Sequence, residues 1–436
     1  MGIKVTKFGG SSLADAAQFK KVRDILLADP DRRFVVPSAP GRRFKEDEKV
    51  TDLLYKCHKL ARIGQDYSEV FGKIVQRYCS IIDELGIKLD LLPRLHEAEQ
   101  ELARTDAPDY AASRGEYFNG ILLAAYLGWD FIDPADFIRF DKKGVFAAEW
   151  TNNALSEELK KHDHAVIPGF YGSLPTGEIK TFSRGGSDIT GAIVARAAGA
   201  EIYENWTDVS GFMVADPRIV ENPRSIDKLT YRELRELSYM GASVLHEDSI
   251  FPVRKANIPT NIRNTNDPSH PGTMIVSDID VPNERIITGI AGHKNFTLLN
   301  IEKAMMNSEV GFGRRVLTVL EELGICFEHL PTGIDTMCVI IADKEIEAHK
   351  QEIIDRINET CHPDSIEFTS GVALIATVGR GMVSHRGTAA KIFRALAVAD
   401  INVRMIDQGS SELNIIVGVD GADFEKAVAA IYYEFI

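Results

Sequence analysis

Two glycine-rich turns constrain this chain more than any other feature: Lys7-Phe8-Gly9-Gly10-Ser11-Ser12 near the start, and Phe182-Ser183-Arg184-Gly185-Gly186-Ser187-Asp188 in mid-chain. Each follows a short apolar run, Ile3 to Phe8 or Glu178 to Phe182, and each opens into a helical pattern. A strand that breaks at paired glycines and feeds a helix presents backbone N–H groups at the positive end of that helix. Such a turn suits an anion, phosphate above all. Two of them, one beside a lysine and one beside an arginine and an aspartate, point to phosphoryl transfer between them.

The 436 residues suffice for two to three domains with a full core. A formal net charge of −14 argues against a nucleic-acid or anionic-membrane surface, which needs clustered Lys and Arg. The basic residues are instead expected to act singly, at defined sites. Cys57, Cys79, Cys326, Cys338 and Cys361 are an odd set with no C-x-x-C pair, and read as buried reduced thiols. Cys361-His362 lacks further spaced ligands and makes a poor metal site. No apolar stretch reaches membrane-spanning length, and the N-terminus enters a strand directly. Neither a membrane span nor a signal peptide is expected, and the expected location is cytoplasmic.

From Ile3 to about Arg263 short apolar strands alternate with helical patterns. The spacing predicts strands at 3–8, 33–37, 129–133, 164–170, 178–183, 201–206 and 258–263, and helices at 15–28, 51–85, 115–127, 187–199 and 230–241. That alternation predicts an α/β fold, a mainly parallel sheet with helices on both faces (an αβα sandwich). Ligands in such sheets sit at the carboxyl ends of strands, where both glycine turns are expected to fall. The turn-rich stretch Asn264 to Gly272 marks a domain boundary, giving a first domain of 1–272.

Beyond it the order strand 296–301, helix 308–323, strands 325–330 and 335–342, helix 345–358 is repeated as strand 372–378, helix 386–399, strands 401–406 and 411–418, helix 421–433. A βαββα repeat of this size predicts two ferredoxin-like (βαββαβ) modules, about 295–371 and 372–436, within a region 286–436. The second copy ends without its fourth strand. The spare strand Ile286 to Ala291 is expected to fill that gap, nesting one module inside the other.

Lys7 stands two positions before the first of its glycines, where a strand-end ammonium reaches phosphate oxygens; otherwise it is a solvated lysine on an edge strand. Asp188 lies in the first turn of a helix, where a carboxylate is favoured simply as a cap. With the rest of the motif it reads as an organiser of Lys7 or of a metal-bound phosphate. Arg184 suits a bidentate grip on a substrate carboxylate. Thr207-Asp208 ends a strand and leads through Gly211 to Asp216-Pro217-Arg218, which suits a nucleotide-binding loop. Gly115-Glu116 opens an apolar helix, where Glu116 meets either a ligand ammonium or only the helix dipole. The Walker A pattern and the protein-kinase motifs are absent.

These motifs together resemble the aspartate kinases of the amino-acid-kinase superfamily. The resemblance covers nearly the whole chain: K-F-G-G-S-S, V-V-P-S-A-P, V-T-D-L-L, G-E, F-S-R-G-G-S-D and T-D-V-S-G-F-M-V-A-D-P-R, then two ACT-type regulatory modules. It implies MgATP-dependent phosphorylation of the L-aspartate β-carboxylate to 4-phospho-L-aspartate, the entry to lysine, threonine and methionine synthesis. By matching positions, Lys7, Gly9, Gly10 and Ser11 would meet the phosphates. Ser38, Thr51, Glu116, Arg184 and Ser187 would line the aspartate site, and Thr207, Asp208, Asp216 and Arg218, with Met213 in the same loop, would hold ATP. No metal ligand is assigned beyond the role of Asp188 in organising a metal-bound phosphate. The chain departs from the family pattern at Met213, where an aromatic is frequent, at Ser243 for lysine and at Glu247 for proline. No homoserine dehydrogenase portion follows Ile436, so a monofunctional enzyme is expected.

The attacking carboxylate is already ionised near neutral pH, so no general base is required. Lys7 and Mg²⁺ must offset the charge of the γ-phosphate, which casts Asp188 as organiser rather than base. Glutamate 5-kinase and acetylglutamate kinase are the nearest alternatives within the superfamily, and a catalytically silent amino-acid sensor is one from another class. The paired modules with K-F-G-G-S-S disfavour the first two; the intact Lys7, Arg184 and Asp188 disfavour the third. ACT modules pair side by side and bind amino acids between subunits, which implies a homodimer or larger, inhibited by lysine or threonine. The loop Met305-Met306-Asn307-Ser308 and the facing strand Phe327-Glu328-His329 are the candidate effector site, with Met306, Ser308 and Glu328 as contacts. The family has an aspartate where Glu328 aligns and a serine near Gly333.

Overall fold

Val5, Thr6, Lys7 and Phe8 are all buried, as expected of a strand covered on both faces. The computed structural model describes residues 2–183, 185–242, 245, 247–278 and 285–436. It divides into one unit of Met1–Phe212, Ile226–Tyr231 and Ser243–Ile279, and a second of Met213–Ser225, Arg232–Ala242 and Asp280–Ile436.

The strands of the first unit are β1 (Lys4–Phe8), β2 (Arg32–Pro37), β3 (Asp130–Phe131), β4 (Ala165–Val166), β5 (Tyr171–Ser173), β6 (Ile179–Thr181), β7 (Ile202–Thr207), β8 (Lys228–Thr230), β9 (Thr260–Asn264) and β10 (Thr273–Val276). Between them run α1 (Ala16–Leu27), α2 (Val50–Arg62), α3 (Ser68–Leu85), α4 (Leu92–Leu102), α5 (Pro108–Leu127), α6 (Pro134–Phe137), α7 (Ala148–Leu159), α8 (Gly186–Ala197), α9 (Tyr231–Tyr239) and α10 (Phe251–Lys255). All of α9 but Tyr231 belongs to the second unit. Eight strands form one sheet in the order β3-β4-β2-β1-β7-β9-β10-β8, parallel except where β10 meets β9.

Alternation along β1 assigns the two faces. Phe8 enters a core with Phe19, Tyr78, Phe118 and Trp206, built by α1 to α5. Lys7, its neighbour, points the other way and meets Asp188 of α8. The strand beside it repeats the division: Trp206 joins the core, while Asn205 bonds to Asp188 and Tyr203 lies against Gly191 of α8. Helices therefore cover both faces, and the expected sandwich is present.

Three expected elements differ. The helix expected at 51–85 is two, α2 and α3, because Gly64 takes a left-handed φ of 69° and Asp66 accepts from the Ser68 amide to start the second. The strand expected at 178–183 is outside the main sheet: β6 pairs only with β5 in a two-stranded hairpin. The chain leaves the sheet after Gly169, whose amide still bonds to Pro37, and turns at Phe170. The turn-rich stretch after Asn264 leads into a further strand, so the sheet runs on through β10 to Val276.

The second unit contains β11 (Gly289–Glu302), α11 (Phe312–Glu322), β12 (Thr336–Ala342), α12 (Asp343–Ile346), α13 (Lys350–Cys361), β13 (Ser365–Val378), α14 (Thr388–Val398), β14 (Val403–Asp407), β15 (Asn414–Asp420) and α15 (Phe424–Phe435). Its five strands form one antiparallel sheet, β12-β11-β13-β15-β14. The segments expected as separate strands at 286–291 and 296–301 are one long strand, β11, which pairs with β13 from Gly289↔Val378 to Glu302↔Ser365. Residues 289–293 therefore lie beside 374–378, which lie beside β15 and then β14. The strand expected at 325–330 is reduced to an isolated bridge, His329↔Ile340, since Pro331 has no N–H to extend a ladder. Residues 213–225 belong here as a hairpin: Val214 N–H donates to Arg224 O at 2.8 Å, and Ile290 N–H to Val214 O at 2.7 Å. Buried Glu233 of α9 accepts from Thr288 Oγ1 at 2.5 Å and from the Arg380 amide at 3.2 Å.

Candidate active site

The carboxyl ends of β2, β1 and β7 lie in register, Phe8 opposite both Pro37 and Trp206. The chain turns there at Gly9-Gly10. Gly9 N–H donates to Trp206 O at 2.9 Å, and Gly41 N–H to Gly10 O at 2.8 Å. A Cβ on Gly10 would stand 2.9 Å from Ala39 O, so only glycine allows this turn to lie against the loop after β2. That loop is held from below by buried Arg77, which donates to Gly41 O at 3.0 Å and pairs with Asp47 at 2.7 Å. Ser11 follows in a short 3₁₀ turn, Gly10–Leu13.

Lys7 Nζ lies 2.6 Å from Asp188 Oδ1, with both side chains largely buried. Asn205, opposite Lys7 on β7, donates to the same oxygen at 2.8 Å. Asp188 is thus committed to a strand-end ammonium rather than to capping α8. The N-terminus of α8 follows Gly185, whose φ of 57° admits the turn into the helix. Both contacts fall on Oδ1, and among the described residues no partner claims Oδ2.

Glu116 is buried on α5, and burial pushes its carboxyl up to about 8, against the weaker opposing pull of the nearby Ala39 and Glu116 amides, of Ser187 and of the charge on Lys7. Its Oε1 has one long contact, 3.5 Å to Ser187 Oγ, and its Oε2 is buried without a partner among the described residues. A buried acceptor left so open suits a ligand donor, and a carboxylate there suits a cation. Thr51, on the first turn of α2, lies beside Gly115, and Asn119 Nδ2 holds Ser38 O at 2.6 Å. Lys7, Gly9, Gly10, Ser38, Thr51, Glu116, Ser187 and Asp188 therefore share one end of the sheet. Thr207 and exposed Asp208 close β7 at the same end, Thr207 Oγ1 donating to Asp208 at 3.2 Å.

Arg184 lies outside the described residues, as does Ser243. Met213, Asp216 and Arg218 lie in the hairpin of the second unit, where Arg218 Nη2 meets Asp216 Oδ2 at 2.5 Å and holds that carboxyl below its usual range. In the same unit Met306 is packed in the core with Leu299, Val316 and Val339. Ser308 Oγ donates to Met305 O at 2.9 Å, and Glu328 accepts from the Tyr239 hydroxyl. Among the described residues no three carboxylate, imidazole or thiol groups converge on a metal site. No helix among them is long and apolar enough to cross a membrane.

Three residues of the site carried no sequence signal. Asn205 and Asn119 act across 17 and 81 residues of chain respectively. Phe170 has a φ of 82°, rare for a non-glycine residue, and its ring lies where a Cβ on Gly186 would be. Its amide is held by Thr190 Oγ1 at 3.0 Å. A backbone strained at the mouth of a site is the one clue it offers, and only coordinates show it.

Residues 2–264 match the family model described as the amino acid kinase family, and residues 375–435 match one described as an ACT domain. The chain belongs to the amino acid kinase family. It is 41% identical to aspartokinase 3 of Bacillus subtilis over 99% of this chain and 98% of the relative. Its fold superposes on the crystal structure of Clostridium acetobutylicum aspartate kinase with a TM-score of 0.95, at 53% identity and full coverage of both chains. Escherichia coli aspartokinase III in complex with lysine and aspartate is similar at a TM-score of 0.75 and 25% identity, over 100% of this chain and 99% of that one. At this likeness over its full length, the activity of the chain is that of an aspartate kinase, an ATP-dependent phosphotransferase of the aspartate pathway.

Proposed function

We propose that the Lys7–Asp188 pair is where the phosphoryl group passes from ATP to the β-carboxylate of L-aspartate, giving 4-phospho-L-aspartate. The observation that carries this reading is the 2.6 Å contact that aims a buried ammonium across the end of β1, beside the Gly9-Gly10 turn. Lys7 then meets the charge that develops as carboxylate attacks phosphate, with Asp188 and Asn205 fixing it in place. Gly9, Gly10 and Ser11 bind phosphate oxygens through backbone N–H groups. Thr207 and Asp208, at the end of β7, hold the nucleotide. Mg²⁺, bound mainly by phosphates, needs one or two protein carboxylates, and the open Oδ2 of Asp188 fits that demand. When bound it neutralises phosphate charge.

Aspartate is held by Ser38, Thr51, Glu116, Arg184 and Ser187, with Glu116 taking the ammonium and Arg184 a carboxylate. Arg184→Lys keeps the charge and loses the planar fork. The expected result is a KM for aspartate raised roughly tenfold or more, with KM for ATP little changed, read in steady-state titrations of both substrates. An effect confined to ATP would move Arg184 to the phosphates.

In this reading the unit that carries the eight-stranded sheet, which runs on to Val276, is the catalytic domain, and 286–436 is the regulatory region of two ACT modules. The regulatory modules pair in a homodimer or larger assembly and bind lysine or threonine near Met306, Ser308 and Glu328. The lysine complex of the Escherichia coli relative supports lysine as the first candidate. Titration of kinase activity with lysine and threonine, singly and together, is expected to show inhibition that Glu328→Ala weakens. By linkage, an inhibitor acting through binding lowers affinity for aspartate or ATP, and they lower its affinity by the same factor. No response of the unaltered protein to either amino acid would remove the regulatory assignment and leave the catalytic one.

A further inference from the structure

We propose that the first unit holds a second small-molecule site, behind α8, that takes an aryl monocarboxylate carrying an N–H or O–H donor. The site is a cavity of about 350 Å³ lined by residues of α7, α8 and α10. Ile189, Ile193 and Arg196 of α8 line it, at the i, i+4, i+7 spacing of one helix face. Asp188 and Gly191 occupy the other face, toward Asn205 and Tyr203 of β7. The helix therefore stands between this cavity and the Lys7–Asp188 pair, and the cavity is no part of the active site.

The space is partly open to solvent, a cleft behind the helix rather than an internal void, and it is walled largely by apolar side chains. Its volume is in the range of ligand pockets, and well above the roughly 150 Å³ that accommodates benzene. The wall is aromatic: Phe146 and Phe182 meet edge to face at 5.5 Å, an arrangement that extends readily to a third planar ring. Phe251, also on the wall, is 64% exposed, an uncovered aromatic that a ligand would cover.

Two polar features narrow the chemistry. Asn152 lines the cavity, and its Oδ1 is buried with no hydrogen-bond partner among the described residues, so it awaits a donor. Arg196 and Lys255 also line it and both bind one oxygen of Glu149, at 2.9 and 3.0 Å. Two cations share one carboxylate there. A single carboxylate on the ligand would give the two cations a second anionic partner.

Three probes separate these features on the full chain by calorimetry: indole-3-acetate, indole (no carboxylate) and 1-naphthaleneacetate (no N–H donor). Indole-3-acetate is expected to bind, the other two about tenfold more weakly each, with affinity unchanged by saturating aspartate. Ala148→Phe, which narrows the cavity from the start of α7, is expected to weaken indole-3-acetate at least tenfold. Asn152→Leu removes the open acceptor and is expected to reverse the preference between indole-3-acetate and 1-naphthaleneacetate; it carries the test if Ala148→Phe does not fold. Absence of binding at about 5 mM probe, displacement by aspartate, or an unreversed preference in Asn152→Leu would overturn the assignment.

Discussion

Replacing Lys7 by alanine is expected to lower kcat by roughly two to four orders of magnitude, the range for loss of a preorganised charge contact in the transition state. The pair it forms with Asp188 explains why the effect should fall on turnover. Removing the ammonium takes away the cation nearest the reacting phosphate and leaves the Asp188 carboxylate, 2.6 Å from where it stood, adding to the repulsion. The fold should tolerate the change, because Asn205 still donates to Asp188 and the backbone ladder through Lys7 is untouched. Steady-state kinetics beside a thermal melt separate the two. A variant with more than half the original turnover would remove Lys7 from the chemistry.

The second large effect concerns Glu116 and is written in its pH dependence. Its carboxyl is raised to about 8, so in the free enzyme it is mostly protonated below that pH. Holding a substrate ammonium favours the ionised form, so binding at pH 6 or 7 must first expel a proton. KM for aspartate is therefore expected to fall more than tenfold as pH rises from 6 to 8, with one proton released per aspartate bound in the lower part of that window. Glu116→Gln should abolish the pH dependence and raise KM by about 10- to 100-fold, the worth of a charge-assisted hydrogen bond, with kcat changed far less. Buffer-dependent calorimetry reads the proton directly. The sign for stability is opposite: between about pH 4.5 and 8 the unfolded chain has lost this proton and the folded chain keeps it, so rising pH works against folding.

Lys7, Asp188 and the residues around them were unequally legible in the sequence. Lys7 and Asp188 announce themselves because each adjoins a paired glycine, and a glycine pair at a strand end has few uses other than a close backbone approach. The motif cast Asp188 as an organiser of Lys7, but a first-turn acid is equally a cap, and the 2.6 Å contact decides between the two. Asn205 and Asn119 remained silent because a buried asparagine is chosen by a partner far along the chain. The segment of β6 looked like part of the main sheet because its pattern is that of any strand; only its pairing with β5 distinguishes the two. Likewise Met213, Asp216 and Arg218 read as a loop following the strand before them, yet they lie in a hairpin bonded to β11, at a residue 76 positions beyond Val214.

The most direct test of the central claim is an ATP-dependent assay with hydroxylamine as trap, run on the purified chain with aspartate, glutamate and N-acetylglutamate in turn. An acyl phosphate formed at the β-carboxylate reacts to a hydroxamate, so product appears only where a carboxylate has accepted phosphate. Hydroxamate is expected from aspartate, at least about a hundredfold less from the other two, and a loss of the aspartate signal in Lys7→Ala by roughly two to four orders of magnitude. Equal product from glutamate or N-acetylglutamate, or none from aspartate above the ATP-free background, would contradict the claim.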